Sequence, residues 1–323
     1  MKRNVSLRSK RRLKMSSSVY DTGIRPAIDA YLKKKGEEIR DYGEYWSASS
    51  AGYCMRKNIF ERLGVPHVEK DSDERTTRVF EAGHIFHEFI QRITKDSGLS
   101  IAQELELLDE DLKIKGHFDD LVLIGRAVCP KDGLEYPNCT KTVVYHNTKG
   151  KPTEPHYLHE HEGACTPEFA QKLILYDYKT AHSRWFEYAK GRPMSHYNRM
   201  QLATYMYLIK NATDPDLVPL LEDVPNLDES RILKISKDDL RLHEIVLNWT
   251  PDLEKEIVGY WRTLNGYWEK KTIPKCTCAD YEKNSKTGVG FMADPKYNPY
   301  YYNGEPCSID LYNEWKESNH AND

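Results

Sequence analysis

The sequence predicts an α/β layer fold. Three observations predict it. Residues 75–95 repeat their apolar side chains at helical spacing. The run LILYDYKT at 173–180 reads as a buried strand whose charged end emerges at a site. The elements around these two follow in the order helix, hairpin, strand, helix. No fixed-period repeat and no Gly/Ser linker divides the chain. Residues 21–323 therefore read as a single domain with insertions, preceded by a flexible arm at 1–20.

In chain order, Val79, Gly83, Phe86, Ile90 and Ile93 line one face of the 75–95 helix. Segments 101–108 and 112–124 read as two strands of a hairpin, joined at the acidic turn Asp109-Glu110-Asp111. Residues 126–168, with Pro, Gly, His and three cysteines, hold no period for long and read as an insertion. Helices are expected at 196–210 and 251–270. The segment 273–310 is rich in Pro, Gly, Asn and Tyr and carries three cysteines, so it reads as a loop-dominated extension held by something other than a core.

A chain of 323 residues can bury a sizeable core, so neither disulfides nor a metal is needed merely to fold. With 39% hydrophobic and 30% charged residues, disorder throughout is excluded. The longest apolar stretches fall far short of a membrane span and the mean hydropathy is -0.74, so no membrane partner is expected. The net charge of -3 hides an asymmetry, because Lys2, Arg3, Arg8, Lys10, Arg11, Arg12 and Lys14 precede the first acid, Asp21. Such an arm suits a phosphate backbone and equally suits a solvated tail. It lacks the apolar stretch of an export signal. With an odd count of seven cysteines, this points to a reducing, cytoplasmic setting where thiols stay free or bind metal.

The chemistry concentrates at Asp177-Tyr178-Lys179. Strand alternation puts Asp177 and Lys179 on one side, while Tyr178 points away and leaves its carbonyl near them. A carboxylate beside an ammonium can bind a hard divalent cation while the Lys serves a water; a surface ion pair is the plainer reading. Gly116-His117-Phe118-Asp119 supplies a second carboxylate ahead of an apolar run, with Asp120 facing the opposite side of the strand. Two acids from neighbouring strands and one Lys form a set able to stabilise the phosphorus centre of a phosphodiester under attack. His87 shares a helix face with Gly83. Gln201 and Tyr205 share a face of the helix after the DYK strand, where they either hold the Lys, contact a DNA strand or pack in the core.

Taken in order, Gly83 with His87, Gly116 with Asp119, Asp177 with Lys179 and Thr180, and Gln201 with Tyr205 resemble the motif series of the RecB-type PD-(D/E)xK nucleases, over roughly residues 48–310. The resemblance implies a restriction-endonuclease-like core, with a mixed central sheet flanked by helices, and metal-dependent hydrolysis of DNA by an exonuclease or end-processing nuclease. His87, Asp119, Asp177 and the Tyr178 carbonyl would ligate Mg²⁺ or Mn²⁺, and Lys179 would serve the attacking water. Glu104 resembles a further acidic position, with Glu106 as its competitor. Cys54 ahead of the first motif and Cys276, Cys278 and Cys307 after the last resemble the iron-sulfur subgroup of these nucleases, which includes the CRISPR-associated adaptation nucleases and the AddB nuclease domain. There four cysteines hold a structural 4Fe-4S cluster; zinc is the alternative on the same thiolates. The Cys276-x-Cys278 pair and the distant Cys307 depart from the compact late triplet of that subgroup.

Cys129, Cys139 and Cys165, with His146, His156, His159 and His161, are candidates for a separate zinc site in the insertion. Tyr45, Trp46, Trp185 and Tyr188 are candidates for stacking on unpaired bases, and equally for burial. Helicase or recombination partners are not legible. Two other readings remain at this point, an endonuclease of the same fold and a DNA-binding module without turnover.

Overall fold

The structure, a computed structural model, describes residues 24–36, 43–68, 74–128, 140–143, 156–159, 168–189, 193–278 and 298–320. In chain order the elements are α1 (Ile24–Gly36), β1 (Trp46–Ser47), α2 (Met55–Leu63), α3 (Glu74–Asp96), β2 (Ser100–Gln103), β3 (Glu106–Asp109), β4 (Ile114–His117) and β5 (Asp120–Val128). After them come β6 (Thr140–Val143), β7 (His156–His159), β8 (Glu168–Ala181), α4 (Ser183–Ala189), α5 (His196–Lys210), α6 (Val218–Glu222), β9 (Glu229–Ser236), β10 (Leu242–Asn248), α7 (Pro251–Glu269) and α8 (Ile309–His320). The chain divides into two compact units, one of Met1–Asp41 and Lys70–Ile85, the other of Tyr42–Glu69 and Phe86–Asp323. In the described part of the first unit lie α1 and the start of α3; everything below concerns the second.

The main sheet runs β10-β9-β8-β5-β2 and is mixed: β8 and β9 are parallel, and the other neighbours are antiparallel. Strand alternation sorts β8 between two cores. Leu173 and Leu175, with Leu121 and Ile232, join the main core built by α5 and α7. Ile174, Tyr176 and Tyr178, with Val122, form a smaller core that packs against Ile90 of α3. Helices thus flank the sheet on both faces. α7 presents Leu253, Ile257, Trp261 and Leu264 at helical spacing, and begins with Thr250 accepting from the Leu253 amide at 3.2 Å and Pro251 in the first turn. α5 begins with Ser195 accepting from the Asn198 amide at 3.3 Å.

The expected hairpin at 101–124 is real only at its tip. β3 pairs with β4 across the predicted acidic turn, but in a separate sheet of order β1-β4-β3, while β2 and β5 pair in the main sheet. Each expected strand breaks in its middle to change sheets. The first break falls at Glu104, which takes a left-handed φ of 51°, and the second at Phe118-Asp119. Neither break carries a Gly or Pro to announce it. The insertion also departs from its expected lack of structure, because β6 and β7 pair as a two-stranded sheet within it. It leaves and re-enters at the far end of the β5–β8 ladder, where Val128 pairs with Glu168.

Gly116 on β4 is the tightest approach of these layers. A Cβ there would sit 2.7 Å from the Ala48 Cβ, and 3.1 and 3.2 Å from Cε1 and Oη of Tyr205. Gly116→Ala is expected to lower stability by about 1–3 kcal/mol in chemical denaturation, because neither buried neighbour can withdraw without leaving a void. Ala48→Gly should restore part of the loss in the double variant.

Candidate functional site

β5 begins at Asp120, opposite Tyr176, so β8 runs on past its neighbour. The Tyr178 amide, which points to that vacated side, donates instead to Asp119 Oδ2 at 2.7 Å. Asp119 is thereby fixed at the end of β8. Asp120 is turned away into the fold and is fully buried. Its carboxylate accepts from Thr94 Oγ1 and Ser100 Oγ at 2.5 Å, from Tyr178 Oη at 2.8 Å and from Gln103 Nε2 at 3.0 Å. It ties α3, β2, β5 and β8 together and has no free oxygen for a ligand.

On the α5 side of β8, Asp177 is 3% exposed. Its Oδ1 accepts from Lys179 Nζ at 3.0 Å and lies 3.4 Å from Gln201 Nε2, while Gln201 Oε1 lies 3.4 Å from Lys179 Nζ. Asp177 Oδ2 is buried without a hydrogen-bond partner. Burial pushes the Asp177 carboxyl up to about 6, and the nearby Asp119 charge adds to this against the opposing pull of Lys179 and His87. Burial also works against the charge on Lys179, but Asp177 and Asp119 outweigh it and raise its pKa above the ordinary range. Lys179 is thus held as a cation beside these two acids.

His87 enters from α3. Its Nε2 lies 3.1 Å from Asp119 Oδ2 and 3.9 Å from Glu104 Oε1, buried and without hydrogen-bond alignment to a partner. Burial lowers the His87 pKa, yet the surrounding carboxylates of Asp119, Glu104 and Asp177 together raise it above the ordinary value. His87, Glu104 and Asp119 each offer a ligand atom, and all three atoms lie within 4.8 Å of one another. Sequence reasoning placed Glu104 against Glu106 as alternatives; the structure brings Glu104 to the site and pairs Glu106 with Lys115 at 3.0 Å.

Gln91 was missed. One turn along α3 from His87, its amide donates to Glu104 Oε1 at 2.7 Å and to the Asp119 carbonyl at 2.9 Å, and so orients both acids. Its place four residues after His87 was the available signal. Of the pair on α5, Gln201 reaches Asp177 and Lys179, whereas Tyr205 is buried against Gly116. Trp46 is buried too. With Trp268 it encloses the Arg62 guanidinium, 4.3 Å from each ring, so it is no surface for bases. Trp185 lies under the Lys234 ammonium at 3.7 Å, and Tyr45 bonds Glu110 at 2.8 Å. The Tyr188 side chain, the basic arm, and Cys129, Cys139, Cys165, His146 and His161 lie outside the described residues, as do the side chains of His156 and His159.

A second constellation forms where α2 meets the C-terminal segment. Cys54, Cys276, Cys278 and Cys307 are free thiols whose four sulfurs all lie within 4.8 Å of one another, a set that can hold a metal ion or cluster. Cys54 and Cys276 are 3.9 Å apart and Cys278 and Cys307 3.5 Å. Cys54 stands at the N-terminus of α2 and accepts from the Thr277 amide at 3.4 Å. The sulfurs of Cys276, Cys278 and Cys307, together with that amide, hold its pKa far below the ordinary thiol range against the effect of burial. Around them pack Phe60, Val65 and Tyr300, with Tyr312 and Trp315 of α8 at the margin. Arg56 fastens the two walls, donating to the carbonyls of Pro274 at 2.7 Å and Cys307 at 3.2 Å. Among the described residues no helix is long and apolar enough to cross a membrane.

No protein-family model and no curated protein matches the chain. Among solved structures, one titled "Crystal structure of SSO0001" is similar at a TM-score of 0.42 and 17% identity, covering 79% of this chain and 95% of that one.

Proposed function

We propose that this chain is a metal-dependent deoxyribonuclease with a RecB-type PD-(D/E)xK core, which hydrolyses phosphodiester bonds at DNA ends. The observation that carries this reading is the convergence at the end of β8 of Asp119, Asp177, His87 and Lys179, with Asp177 Oδ2 buried and without a hydrogen-bond partner and His87 Nε2 3.1 Å from Asp119 Oδ2. A carboxylate oxygen such as Asp177 Oδ2 is costly to bury unless a ligand satisfies it. His87, Asp119, Asp177 and the Tyr178 carbonyl would hold Mg²⁺ or Mn²⁺, with Glu104 as a further acid. When bound, the ion supplies Lewis-acid polarisation of a phosphoryl oxygen and lowers the pKa of a bound water.

The chain's own residues divide the remaining work. Asp177 commits Oδ1 to Lys179 and Gln201 and leaves Oδ2 for the ion. Lys179, kept cationic by its two acids, orients the attacking water and stabilises the charge that develops on the phosphate. Gln201 holds the Lys179 head group against rotation, and Gln91 does the same for Glu104 and the Asp119 backbone. The basic residues of the arm offer phosphate contacts that would guide a strand to the site.

Purified protein incubated with end-labelled linear DNA and with covalently closed circular DNA tests this reading. Release of label from linear DNA in Mn²⁺, none in chelator, and intact circles are the expected results. Cutting of circles would replace the end-processing reading with an endonuclease, and DNA binding without cleavage of any substrate would reduce the chain to a binding module.

A further inference from the structure

We propose that the four-cysteine centre is a mononuclear tetrahedral zinc site rather than the 4Fe-4S cubane that the resemblance implies. Sulfur spacing decides between them. Four thiolates on one ion at a bond length of about 2.3 Å form a tetrahedron with edges of about 3.8 Å. In a cubane each thiolate binds a different iron, so each sulfur stands off from the centre by the iron's own displacement plus a metal–sulfur bond. That spreads the sulfurs to on the order of 6 Å apart. Here Cys278 and Cys307 are 3.5 Å apart, Cys54 and Cys276 are 3.9 Å apart, and no pair exceeds 4.8 Å. The set encloses one ion and has no room for an inner tetrahedron of irons.

The surroundings agree with a closed structural site. The Asn298 side chain is fully buried, and its Oδ1 accepts from the Tyr300 amide at 2.9 Å. This orientation turns Nδ2 toward the sulfurs of Cys278 and Cys307, at 3.6 and 3.5 Å. The Thr277 amide serves Cys54 in the same way at 3.4 Å. These N–H donors temper the negative charge of four thiolates on a divalent ion, as outer-shell partners of metal ligands do. Four protein ligands, three of them buried, leave no open coordination position and hence no catalytic role. The spacing Cys276-x-Cys278, with Cys307 reached through a left-handed φ of 48°, brings three sulfurs from one segment onto Cys54 at the start of α2.

The full chain, expressed with both iron and zinc supplied and purified without oxygen, should be colourless and carry one zinc per chain and no acid-labile sulfide. Replacement of that ion by Co²⁺ should give the intense visible bands of a tetrahedral tetrathiolate. Asn298→Ala should keep the fold and release zinc to a chelating indicator at least ten-fold faster. Four irons and four sulfides per chain with broad brown absorption would overturn the proposal, as would a metal-free protein that fails to take up zinc in competition with the indicator. The assignment does not rest on the nuclease reading, and its failure would leave the cleavage assay untouched.

Discussion

Lys179→Ala should reduce Mn²⁺-dependent cleavage of linear DNA by at least 10²–10³-fold, about 3–4 kcal/mol of transition-state stabilisation, while DNA binding is retained. Two effects combine. The cation facing the developing charge is lost, and so is the partner that opposes the burial of Asp177. That carboxyl is pushed up to about 6 even with Lys179 beside it. Removing Lys179 raises it further, so at neutral pH a larger fraction is protonated and a poorer ligand for a divalent ion. Lys179→Arg keeps the charge on a different shape and should fall between wild type and Ala. Single-turnover cleavage at saturating Mn²⁺ separates the two effects, because added metal recovers only the second. A Lys179→Ala protein that cuts at the wild-type rate would remove Asp177-Tyr178-Lys179 from the active centre. Asp119→Ala should be as damaging, since it also strips the Tyr178 amide of its acceptor.

Cys307→Ser should lower thermal stability by several kcal/mol, and wild type treated with a strong chelator should melt like the variant. Cys54, Phe60, Val65, Cys278, Tyr300 and Cys307 form a core of their own, separate from the one built on α5 and α7. The segment 298–308, which supplies Tyr300 and Cys307 to it, contains only turns and an isolated bridge between Tyr302 and Glu305. Such a core has few regular backbone hydrogen bonds to fall back on, and the binding free energy of a thiolate-held metal is folding free energy. Differential scanning calorimetry with and without chelator checks the prediction. Unchanged melting in Cys307→Ser would mean that the thiolates do not fasten the C-terminal segment.

The parts legible in the sequence are those where local pattern and tertiary role coincide. Helices 196–210 and 251–270 and the strand at 173–180 correspond to α5, α7 and β8, whose apolar residues are buried over several turns or pairs; 75–95 corresponds to α3, but of its expected stripe Val79 and Ile93 are exposed and Ile90 packs against the smaller core. The pairing of Asp177 with Lys179 followed from strand alternation alone. What stayed hidden depended on contacts from afar. Glu104 and Phe118-Asp119 break their strands because the chain switches sheets there, which no turn residue marks. β9 and β10 escaped notice, although β9 buries Ile232 beside β8. Gln91 and Asn298 gained their roles only when folding brought Glu104 and the cysteines to them, and Trp46 proved to be a wall around Arg62.

The β5–β8 ladder separates the molecule's chemistry from its ornament. Nine residue pairs run from Asp120 with Tyr176 at the site to Val128 with Glu168 at the root of the insertion, a rigid span of roughly 27 Å. The chain beyond Val128 joins this ladder at the end opposite the candidate site. The far end is thus a natural graft point: replacing 129–167 by a short linker is expected to leave the Asp119–Tyr178 and Asp177–Lys179 contacts in place.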